Sequence, residues 1–477
     1  MSIQEGVVVK EREVDVAIIG SGSAGLYALG KVKPSGKSFV LINGGEPGTT
    51  CARVGCMPSK AIIQVAEDYH RRAIFDRYGI GGHDDLTIDT IEAMEHVQDL
   101  RDTFVDRVLS NSTDNMGDEF IEGYARFIEP HVLEVNDERI RAGKIIIATG
   151  STPIVPDDWS AFGDRIVTTD DFFEQESLPS SMAIIGLGVI GLELGQSLHR
   201  LGVDIVGIDM AESIGGISDP DVNKEAIQLI GKEFPLWLGA GAAISEGENG
   251  QLVVTAGDNS KHVDKILVAI GRKPNLASLN LEAAGIELDD HGIPAYDRHT
   301  MQIGDSHIFI AGDVSGERPL LHEAGDEGRI AGHNAVSGSI TAFRRKTPLN
   351  ITFSDPNVCQ VGARFADLDP ETTAVGEIRF APVGRALIMG KNKGILRVYG
   401  DKASGRLLGC EMIAPKGENL AHLVNWAIEQ ELTVGQLLQM PFYHPVIEEA
   451  LQAALYDLYG KVDAKNDTPI TELIPLK

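Results

Sequence analysis

The chain has 477 residues, which at roughly 150 residues per domain is enough for about three domains, each with its own core. Hydrophobic residues make up 43% and charged residues 23%, which argues against a disordered tail, a collagen-like rod and a coiled coil. The 70 acidic residues outnumber the 42 basic ones, and a net charge of −28 disfavours nucleic acid as a partner. Only four cysteines occur, too few for a secreted disulfide scaffold, so a pair among them is more typical of redox chemistry.

Neither a targeting signal nor a membrane span is predicted. Glu5 and the charged run 10–13 stand where a signal peptide needs apolar residues. No stretch of the sequence approaches the roughly eighteen uninterrupted apolar residues of a transmembrane helix. We therefore expect a cytoplasmic protein that does not enter a membrane.

The same strand, glycine loop and helix signature occurs twice. The apolar runs Val14–Ile19 and Met182–Ile185 each lead into a GxGxxG sequence followed by a helical pattern. The glycines of the two motifs are Gly20, Gly22, Gly25, Gly186, Gly188 and Gly191. In such a motif one glycine permits a tight turn, one lets the backbone approach a pyrophosphate, and one lets the helix pack on the strand. Two copies in the same context predict two dinucleotide sites.

The residues that end the second strand of each unit distinguish the two sites. In the second unit Val203–Ile208 ends at Asp209, where a carboxylate accepts hydrogen bonds from the ribose of NAD and repels the extra phosphate of NADP. No Arg or Lys follows in residues 210–214, so NAD(H) is favoured; a solvated acid at a strand end is the alternative. In the first unit Phe39–Ile42 ends at Asn43, an amide that can still hydrogen-bond a ribose.

Further short apolar runs that stop at glycine predict more strands of buried parallel sheets. They are Lys144–Ile147 before Ala148, Thr149 and Gly150, Ile266–Ala269 before Gly271 and Arg272, and His307–Ile310 before Gly312 and Asp313. From about residue 346 a strand-like run, Gly394–Tyr399, and an amphipathic stretch, Leu420–Leu438, predict an α+β domain. The predicted fold class is α/β, with two Rossmann-like nucleotide domains and a C-terminal α+β domain. The predicted domains are 1–150, 151–276, a return to the first at 277–345, and 346–477.

Two cysteines, Cys51 and Cys56, form a CxxxxC motif. A disulfide in so small a loop stabilises by only about 2 kcal/mol, a small gain for a chain of this size. Pro58 begins a helical pattern, which places Cys56 just ahead of a helix N-terminus and near Lys60, and both features favour a thiolate. The pair is therefore predicted to be redox-active, with two reduced core cysteines as the alternative. The other two cysteines lie singly in apolar surroundings and are predicted core residues: Cys359 and Cys410.

Together these motifs resemble the pyridine nucleotide-disulfide oxidoreductases with a CxxxxC centre, and most closely their dihydrolipoamide dehydrogenase branch. The resemblance spans nearly the whole chain and adds Leu192-Glu193, the run 273–275 and His444-Pro445 with Glu449. It implies FAD in the first site, held by Gly20, Gly22, Gly25, Asn43, Thr50, Lys60, Ala148, Thr149, Gly150, Gly312 and Asp313. It implies NAD in the second, held by Gly186, Gly188, Gly191, Asp209, Gly271 and Arg272. The implied catalytic residues are Cys51, Cys56, Lys60, Glu193, His444 and Glu449, with Lys60 paired to Glu193 beside the flavin; no metal site is predicted.

The C-terminal motif supplies a proton carrier. If Pro445 starts a helix, His444 lies just outside its N-terminus and Glu449 lies early in it, where a carboxylate can orient the imidazole. A helix-capping surface histidine is the alternative. The resemblance implies that this dyad reaches the disulfide of the other subunit of a homodimer. The apolar positions that fit either such an interface or plain core are Leu420, Leu423, Val424, Ala427 and Ile428.

The resemblance implies a homodimeric flavoprotein that oxidises a dithiol and passes the electrons through FAD to NAD. The implied partner is a lipoyl-bearing acyltransferase of a 2-oxoacid dehydrogenase complex or a glycine-cleavage carrier protein. Arg53 and Phe442 stand where this branch usually has Asn and His, so the access to the thiols is expected to differ.

Three of the four alternatives are related reductases, and one, a non-catalytic scaffold, belongs to a different functional class. A glutathione-reductase-like enzyme is disfavoured by Asp209 and by Ser59, where such enzymes usually carry Lys. Mercuric reductase is disfavoured because residues 472–477 lack a cysteine pair. An NADH:quinone or diaphorase-type reductase stays open. A non-catalytic nucleotide-sensing scaffold is unlike this chain, because it would not need the thiols and the His-Glu pair together.

Overall fold

The computed structural model describes residues 10–476, so Glu5, one of the charges that argue against a signal peptide, lies outside the described residues. The helices are α1 (Ser23–Val32), α2 (Thr50–Arg53), α3 (Cys56–His70), α4 (Thr90–Ser110), α5 (Thr169–Phe172), α6 (Val189–Arg200), α7 (Pro220–Ile230), α8 (Leu321–Val336), α9 (Gly384–Met389), α10 (Gly417–Glu429), α11 (Val434–Leu438) and α12 (Glu449–Lys461). None of the helices in this part of the chain is long and apolar enough to span a bilayer.

The strands include two long runs, in residues 120–153 and 236–274, that contain no α-helix. They are β1 (Lys10–Ile19), β2 (Phe39–Asn43), β3 (Phe120–Glu122), β4 (Ala125–Glu129), β5 (Val132–Val135), β6 (Glu138–Ile147), β7 (Ser151–Pro153), β8 (Ile166–Val167), β9 (Ser181–Ile185), β10 (Asp204–Asp209), β11 (Leu236–Leu238), β12 (Ala243–Glu246), β13 (Leu252–Ala256), β14 (Asn259–Val263), β15 (Lys265–Val268), β16 (Arg272–Pro274), β17 (Ile308–Ile310), β18 (Leu349–Thr352), β19 (Asn357–Gly362), β20 (Thr373–Arg379), β21 (Ile395–Asp401) and β22 (Leu407–Ala414).

The first sheet runs β3-β2-β1-β6, and β17 pairs in parallel with the end of β6. The antiparallel strands β4 and β5 extend the sheet from the beginning of β6. Residues 145–147 are isoleucines that are fully buried, because α1 and α8 cover one face of the sheet and a second apolar cluster covers the other. The return of the chain through β17 brings 311–313 beside the end of β6, which itself adjoins the end of β1. Three predicted motifs therefore meet at one edge of the sheet.

The second sheet is wholly parallel, in the order β11-β10-β9-β15-β8. A three-stranded antiparallel meander, β12-β13-β14, packs against it, and the two-stranded ribbon β7/β16 lies where the chain enters and leaves this region. This architecture confirms the predicted fold class. The residue limits of the individual domains stay predictions.

The third sheet is antiparallel, in the order β18-β19-β22-β21-β20, and packs against α10 and α12. The amphipathic stretch Leu420–Leu438 is not continuous: Glu431 has φ +56° and separates α10 from α11. The break lets the Leu432 carbonyl accept a hydrogen bond of 3.1 Å from Leu407 at the start of β22. The chain thus turns back to extend the sheet, which a continuous helix would prevent.

The apolar stripe of α10 is mainly core. Leu420, Val424 and Ala427 are buried against the third sheet, whereas Leu423 is 38% exposed. Cys359 and Cys410 lie in the same core, as predicted, and burial raises the pKa of both thiols. These two cysteines are therefore poor nucleophiles.

Candidate active site

The first glycine loop contains two close contacts that only glycine permits. Gly20 has φ +109°, and a Cβ there would lie 2.2 Å from the carbonyl oxygen of Ala148. A Cβ on Gly25 would lie 1.9 Å from the carbonyl oxygen of Gly20, because α1 packs closely on the turn. Gly22, in contrast, caps α1 without any side-chain hydrogen bond, and a Cβ there would meet nothing within 4 Å. The unpaired N–H groups of α1 thus face open space, which fits a pyrophosphate.

The second glycine loop repeats this arrangement. Gly186 has φ +96°, and its Cβ would lie 2.4 Å from the carbonyl oxygen of Ala269. A Cβ on Gly191 would lie 1.8 Å from the carbonyl oxygen of Gly186. Gly188 caps α6 without a side-chain hydrogen bond and has open space beside it. Both predicted dinucleotide loops therefore have the shape that a bound pyrophosphate needs.

Asp209 at the end of β10 and Asn43 at the end of β2 make different hydrogen bonds. The Asp209 carboxylate accepts hydrogen bonds from the backbone N–H groups of Leu187, at 2.7 Å, and Ala211, at 2.8 Å. Asn43 instead donates from its amide nitrogen to the Gly45 carbonyl, at 2.7 Å. Asp209 is thus tied to the second glycine loop, while each of its oxygens keeps a further lone pair for a ribose hydroxyl.

The Ala-Thr-Gly motif at 148–150 is hydrogen-bonded to Asn275, which follows β16. The Thr149 hydroxyl donates to the Asn275 carbonyl at 2.7 Å, and the Asn275 N–H donates to the Gly150 carbonyl at 3.0 Å. Ala148 is buried under Gly20, and Gly271 is exposed with φ +123°. These bonds hold the two nucleotide regions together at the β7/β16 ribbon.

Arg272 lies in this ribbon, and its side chain contacts the residue that follows the Ala-Thr-Gly motif and residues at the start of α5. Its guanidinium donates to the Ser151 hydroxyl and carbonyl, both at 2.8 Å, and to the Thr169 hydroxyl at 3.3 Å. Ser151 in turn donates to the Asp313 carboxylate at 2.9 Å. The expected contact of Arg272 with NAD stays a prediction, whereas its link to Asp313 through Ser151 is an arrangement that the sequence did not reveal. Ser151 follows the Ala-Thr-Gly motif directly, and that polar position was the available signal.

The backbone just before Asp313 is also held by a side chain of α8. The Gly312 N–H donates to the buried carboxylate of Glu327 at 2.8 Å. Arg345 pairs with Glu327 at 2.8 Å and with Glu323 at 2.6 Å. Sequence reasoning missed this network; its only signal was a group of acidic residues in a helix that is otherwise rich in small side chains.

The redox motif spans two helices. Thr50 and Cys51 begin α2, which is capped by the Thr49 hydroxyl accepting from the Ala52 N–H at 3.2 Å. Helix α3 begins at Cys56, so the predicted start at Pro58 is wrong by two residues. Proline is tolerated there because the first-turn N–H groups of a helix have no partner within the helix. Cys56 consequently sits in the first turn itself, where the helix dipole favours a thiolate.

The two thiols differ in acidity. Hydrogen bonding with Cys51 and the positive charge of Lys60 lower the pKa of Cys56 to about 7, against the opposing effect of burial. The same hydrogen bond, together with burial, raises the pKa of Cys51. The pair therefore loses its first proton near neutral pH, and the proton that remains on Cys51 is shared with a Cys56 thiolate.

Lys60 and Glu193 are in direct contact, as the resemblance implies. Lys60 Nζ lies 2.8 Å from Glu193 Oε2, and the Glu193 side chain is only 4% exposed. The other carboxylate oxygen accepts the backbone N–H of Phe353 at 2.9 Å. Phe353 follows β18 directly, so elements of all three sheet regions meet at this ion pair. Sequence reasoning did not identify Phe353 as part of the site.

The histidine–glutamate pair is also formed. His444 Nδ1 lies 2.8 Å from Glu449 Oε1, and Glu449 Oε2 accepts the Val446 N–H at 3.1 Å. The helix does not start at Pro445; residues 444–448 form turns, and α12 begins at Glu449. Hydrogen bonding with His444 lowers the pKa of Glu449, so the carboxylate stays ionised and orients the imidazole.

Within one subunit, the His444–Glu449 pair is not hydrogen-bonded to the two redox cysteines in the described residues. The His444 side chain is 81% exposed. Within residues 10–476, no hydrogen bond links it to Cys51 or Cys56. The exposed Nε2 edge of the imidazole is therefore free to meet a group outside this chain.

Comparisons with known proteins agree with these features. A family model for pyridine nucleotide-disulphide oxidoreductases matches residues 14–328, and a model for the dimerisation domain of these enzymes matches 349–455. The dihydrolipoyl dehydrogenase of Haloferax volcanii is 30% identical over 472 residues, covering 94% of this chain and 96% of that protein. A mercuric reductase of Bacillus cereus is 27% identical over 455 residues, which cover 93% of this chain and 71% of that protein.

The fold also matches solved structures. The HOCl-induced flavoprotein disulfide reductase RclA from Escherichia coli superposes with a TM-score of 0.81 at 23% identity, covering 94% of this chain and all of that one. The dimerisation-domain match supports a homodimer. Together with the two dinucleotide loops, these matches show that the chain belongs to the pyridine nucleotide-disulphide oxidoreductase family, whose cofactors are FAD and NAD(H).

Proposed function

We propose that the enzyme is a dihydrolipoyl dehydrogenase, which oxidises a dihydrolipoyl dithiol with NAD as the final acceptor. The observation that carries the proposal is the pair of adjacent cysteines with opposite acidity, Cys51 and Cys56, beside the Lys60–Glu193 ion pair. The similarity to dihydrolipoyl dehydrogenases over most of the chain supports the choice of substrate.

The proposed reaction begins with Cys51 and Cys56 joined as a disulfide. One thiolate of the substrate attacks the Cys51 sulfur, and Cys56 leaves as the thiolate that its lowered pKa favours. The second substrate thiolate then attacks the substrate sulfur bonded to Cys51, which releases a cyclic disulfide and a Cys51 thiolate. Two electrons have then moved from substrate to enzyme. Of the two substrate protons, one ends on Cys51, whose pKa is raised, and the other on the base that took it from the substrate, while Cys56 stays a thiolate.

The proton acceptor in this scheme is His444. Glu449 holds its Nδ1 side at 2.8 Å, which leaves Nε2 to receive a proton. We place His444 of the partner subunit beside Cys51, because the dyad is exposed in its own chain and the family match includes a dimerisation domain. Each active site is then completed by two subunits.

The cofactors fit the residues present. The first glycine loop, Asn43, the region around Thr50 and Asp313 would hold FAD; the second glycine loop and Asp209 would hold NAD. FAD supplies two-electron transfer between a dithiol and a nicotinamide. Lys60 contributes a positive charge held in place by a buried carboxylate.

A lipoyl-bearing acyltransferase or a glycine-cleavage carrier protein is the partner that this proposal requires, and a cytoplasmic location is compatible with it. A second candidate is reduction of another small disulfide or a quinone. Arg53 and Phe442 favour keeping this candidate, because they replace the residues usual in the lipoamide branch at positions close to the thiols and the dyad. Asp209 favours NAD in either reaction.

Steady-state turnover distinguishes the two candidates. We expect turnover with dihydrolipoamide and NAD to exceed that with glutathione disulfide and NADH or NADPH by at least about a hundredfold, a transition-state difference of about 2.7 kcal/mol. Strong disulfide or quinone turnover beside negligible dihydrolipoamide turnover would overturn the substrate assignment.

The roles of the side chains are tested with two variants. Cys51→Ser should abolish dithiol turnover but leave electron transfer from NADH to a small dye acceptor. His444→Gln should lower dithiol turnover by roughly two to four orders of magnitude, as loss of a general base does. His422→Gln is the matched control, since the contacts of His422 within residues 10–476, with the Glu418 carbonyl and the Trp426 ring, lie in its own helix.

The shared site is tested by mixing the two inactive homodimers under conditions of subunit exchange. A mixed dimer has one site with both Cys51 and the partner subunit's His444 intact, so about a quarter of the wild-type rate should return. No recovery, with exchange verified by mass spectrometry, would place the dyad and the thiols of one site in the same chain.

A further inference from the structure

The Lys60 ammonium is held on several sides. Glu193 Oε2 lies 2.8 Å from Nζ, the Ser59 hydroxyl lies 3.3 Å from it, and the centre of the Phe353 ring lies 4.5 Å from it. Within the described residues, Phe353 is the only aromatic ring placed over this ammonium. It comes from the start of the region matched by the dimerisation-domain model, while Lys60 follows the redox cysteines.

We infer that Phe353 is a positioning residue of the redox centre: its ring holds the Lys60 ammonium in the orientation that stabilises the Cys56 thiolate. This role goes beyond the Lys60–Glu193 pair itself. It rests on the proposed redox role of the cysteines but not on the identity of the substrate.

Two parts of Phe353 act separately. Its backbone N–H donates to Glu193 Oε1 at 2.9 Å, a bond that survives replacement of the side chain by any residue except proline. Its ring attracts the ammonium through the negative face of the π-system. Because Lys60 is 35% exposed, the ring also covers a side of the ammonium that water would otherwise occupy.

The effect on the thiol follows from the charges around Cys56. The hydrogen bond with Cys51 lowers the pKa of Cys56 most and burial opposes it; the charge of Lys60 lowers this pKa further, while the charge of Glu193 raises it. The hydroxyl of a Cys51→Ser variant keeps a hydrogen-bond donor at that position. The balance of the two charges depends on where Nζ lies between the carboxylate and the sulfur. Nζ is already in contact with Glu193 Oε2. Without the ring, water can occupy its open side and screen its charge from the sulfur, so the thiolate loses part of its stabilisation.

The test titrates Cys56 directly in the FAD-loaded protein. In a Cys51→Ser background, the rate of alkylation by iodoacetamide is measured from pH 5 to pH 10; Cys359 and Cys410 are buried and react slowly. Phe353→Leu should raise the apparent pKa of Cys56 by about half a unit to one unit, a three- to tenfold loss of thiolate below that pKa. Phe353→Tyr keeps the ring and should leave the pKa unchanged.

A double-mutant cycle tests whether the ring acts through Lys60. Lys60→Met alone should raise the pKa of Cys56 at least as much as Phe353→Leu does, and adding Phe353→Leu to it should produce no further shift. An unchanged pKa in Phe353→Leu, or an equal shift in the Lys60→Met background, would overturn the inference. Thermal unfolding checks each variant; if Phe353→Leu does not fold, Phe353→Met supplies the same comparison. Because no substrate is used, the result is independent of dihydrolipoamide turnover.

Discussion

The two dinucleotide units have almost the same backbone but different side chains at the ends of their second strands. In both, the first glycine has positive φ and approaches a carbonyl of a neighbouring strand end, and the third presses against the first. The strand end is Asp209 in one unit and Asn43 in the other. Asp209 binds its own glycine loop, whereas Asn43 bonds to the loop that follows it.

This difference teaches that the loop shape and the ribose contact are separate features. The shape comes from close backbone packing and is the same for both cofactors. The proposed ribose contact depends on one side chain, which in the second unit also accepts a hydrogen bond from the glycine loop. The following changes would break or sharpen this comparison.

The largest effect is expected for alanine at the third glycine of each loop. Gly25→Ala or Gly191→Ala places a methyl group within 2 Å of a backbone carbonyl, so the helix must move, at a cost of about 1–3 kcal/mol or more. Gly25→Ala should lose bound flavin, measured by absorbance per chain after gel filtration. Gly191→Ala should keep flavin and lose NADH binding. Gly30→Ala, with open space in the same helix α1, is the control; normal flavin content in Gly25→Ala would contradict the proposed packing.

A smaller effect is expected at the second glycine. Gly22 and Gly188 have extended backbone with negative φ and open space for a Cβ, so alanine should leave the melting temperature unchanged. The methyl group would instead meet the pyrophosphate and weaken binding by about tenfold or more, equal to about 1.4 kcal/mol. Calorimetry of NADH binding to Gly188→Ala tests this; unchanged affinity would show that the pyrophosphate does not lie over this glycine.

Asp209→Asn is expected to have two moderate effects. The amide has one acceptor oxygen, so either the Leu187 or the Ala211 N–H loses its partner, at a cost of about 1 kcal/mol. The affinity for NADH should fall about tenfold while that for NADPH falls less, because the repelling charge is gone. Asp204→Asn, at the exposed start of the same strand, is the control. Equal losses for both nucleotides would limit Asp209 to a structural role.

The smallest effect is expected for Asn43→Asp. The new carboxylate would face the Gly45 carbonyl, to which the amide now donates, so the loop should shift slightly. A ribose hydroxyl would gain a charged acceptor, and the two effects oppose each other. We expect the dissociation rate of FAD to change by less than about fivefold, or about 1 kcal/mol. A much larger change in either direction would show that this strand end controls FAD binding as strongly as Asp209 controls NAD.

The sequence was a good guide wherever a function depends on local pattern. The paired glycine motifs, the CxxxxC spacing and the His-Glu spacing predicted the α/β fold and the family, which the comparisons confirm. The helix starts near Pro58 and Pro445 were wrong, because proline also fits the second or third position of a first turn and fits turns outside helices. The break at Glu431 was missed because apolar spacing alone does not show where the chain turns back to a sheet.

The sequence by itself determined the composition class, the two nucleotide motifs and the reactive cysteine pair, since each depends on residues that are near neighbours in the chain. Only the tertiary structure decided which distant groups support them. The Phe353 ring over Lys60, Ser151 between Arg272 and Asp313, and Glu327 under Gly312 all join residues that are far apart in sequence. Such contacts arise when helices, turns and sheets pack together in the folded chain, and no local spacing encodes them.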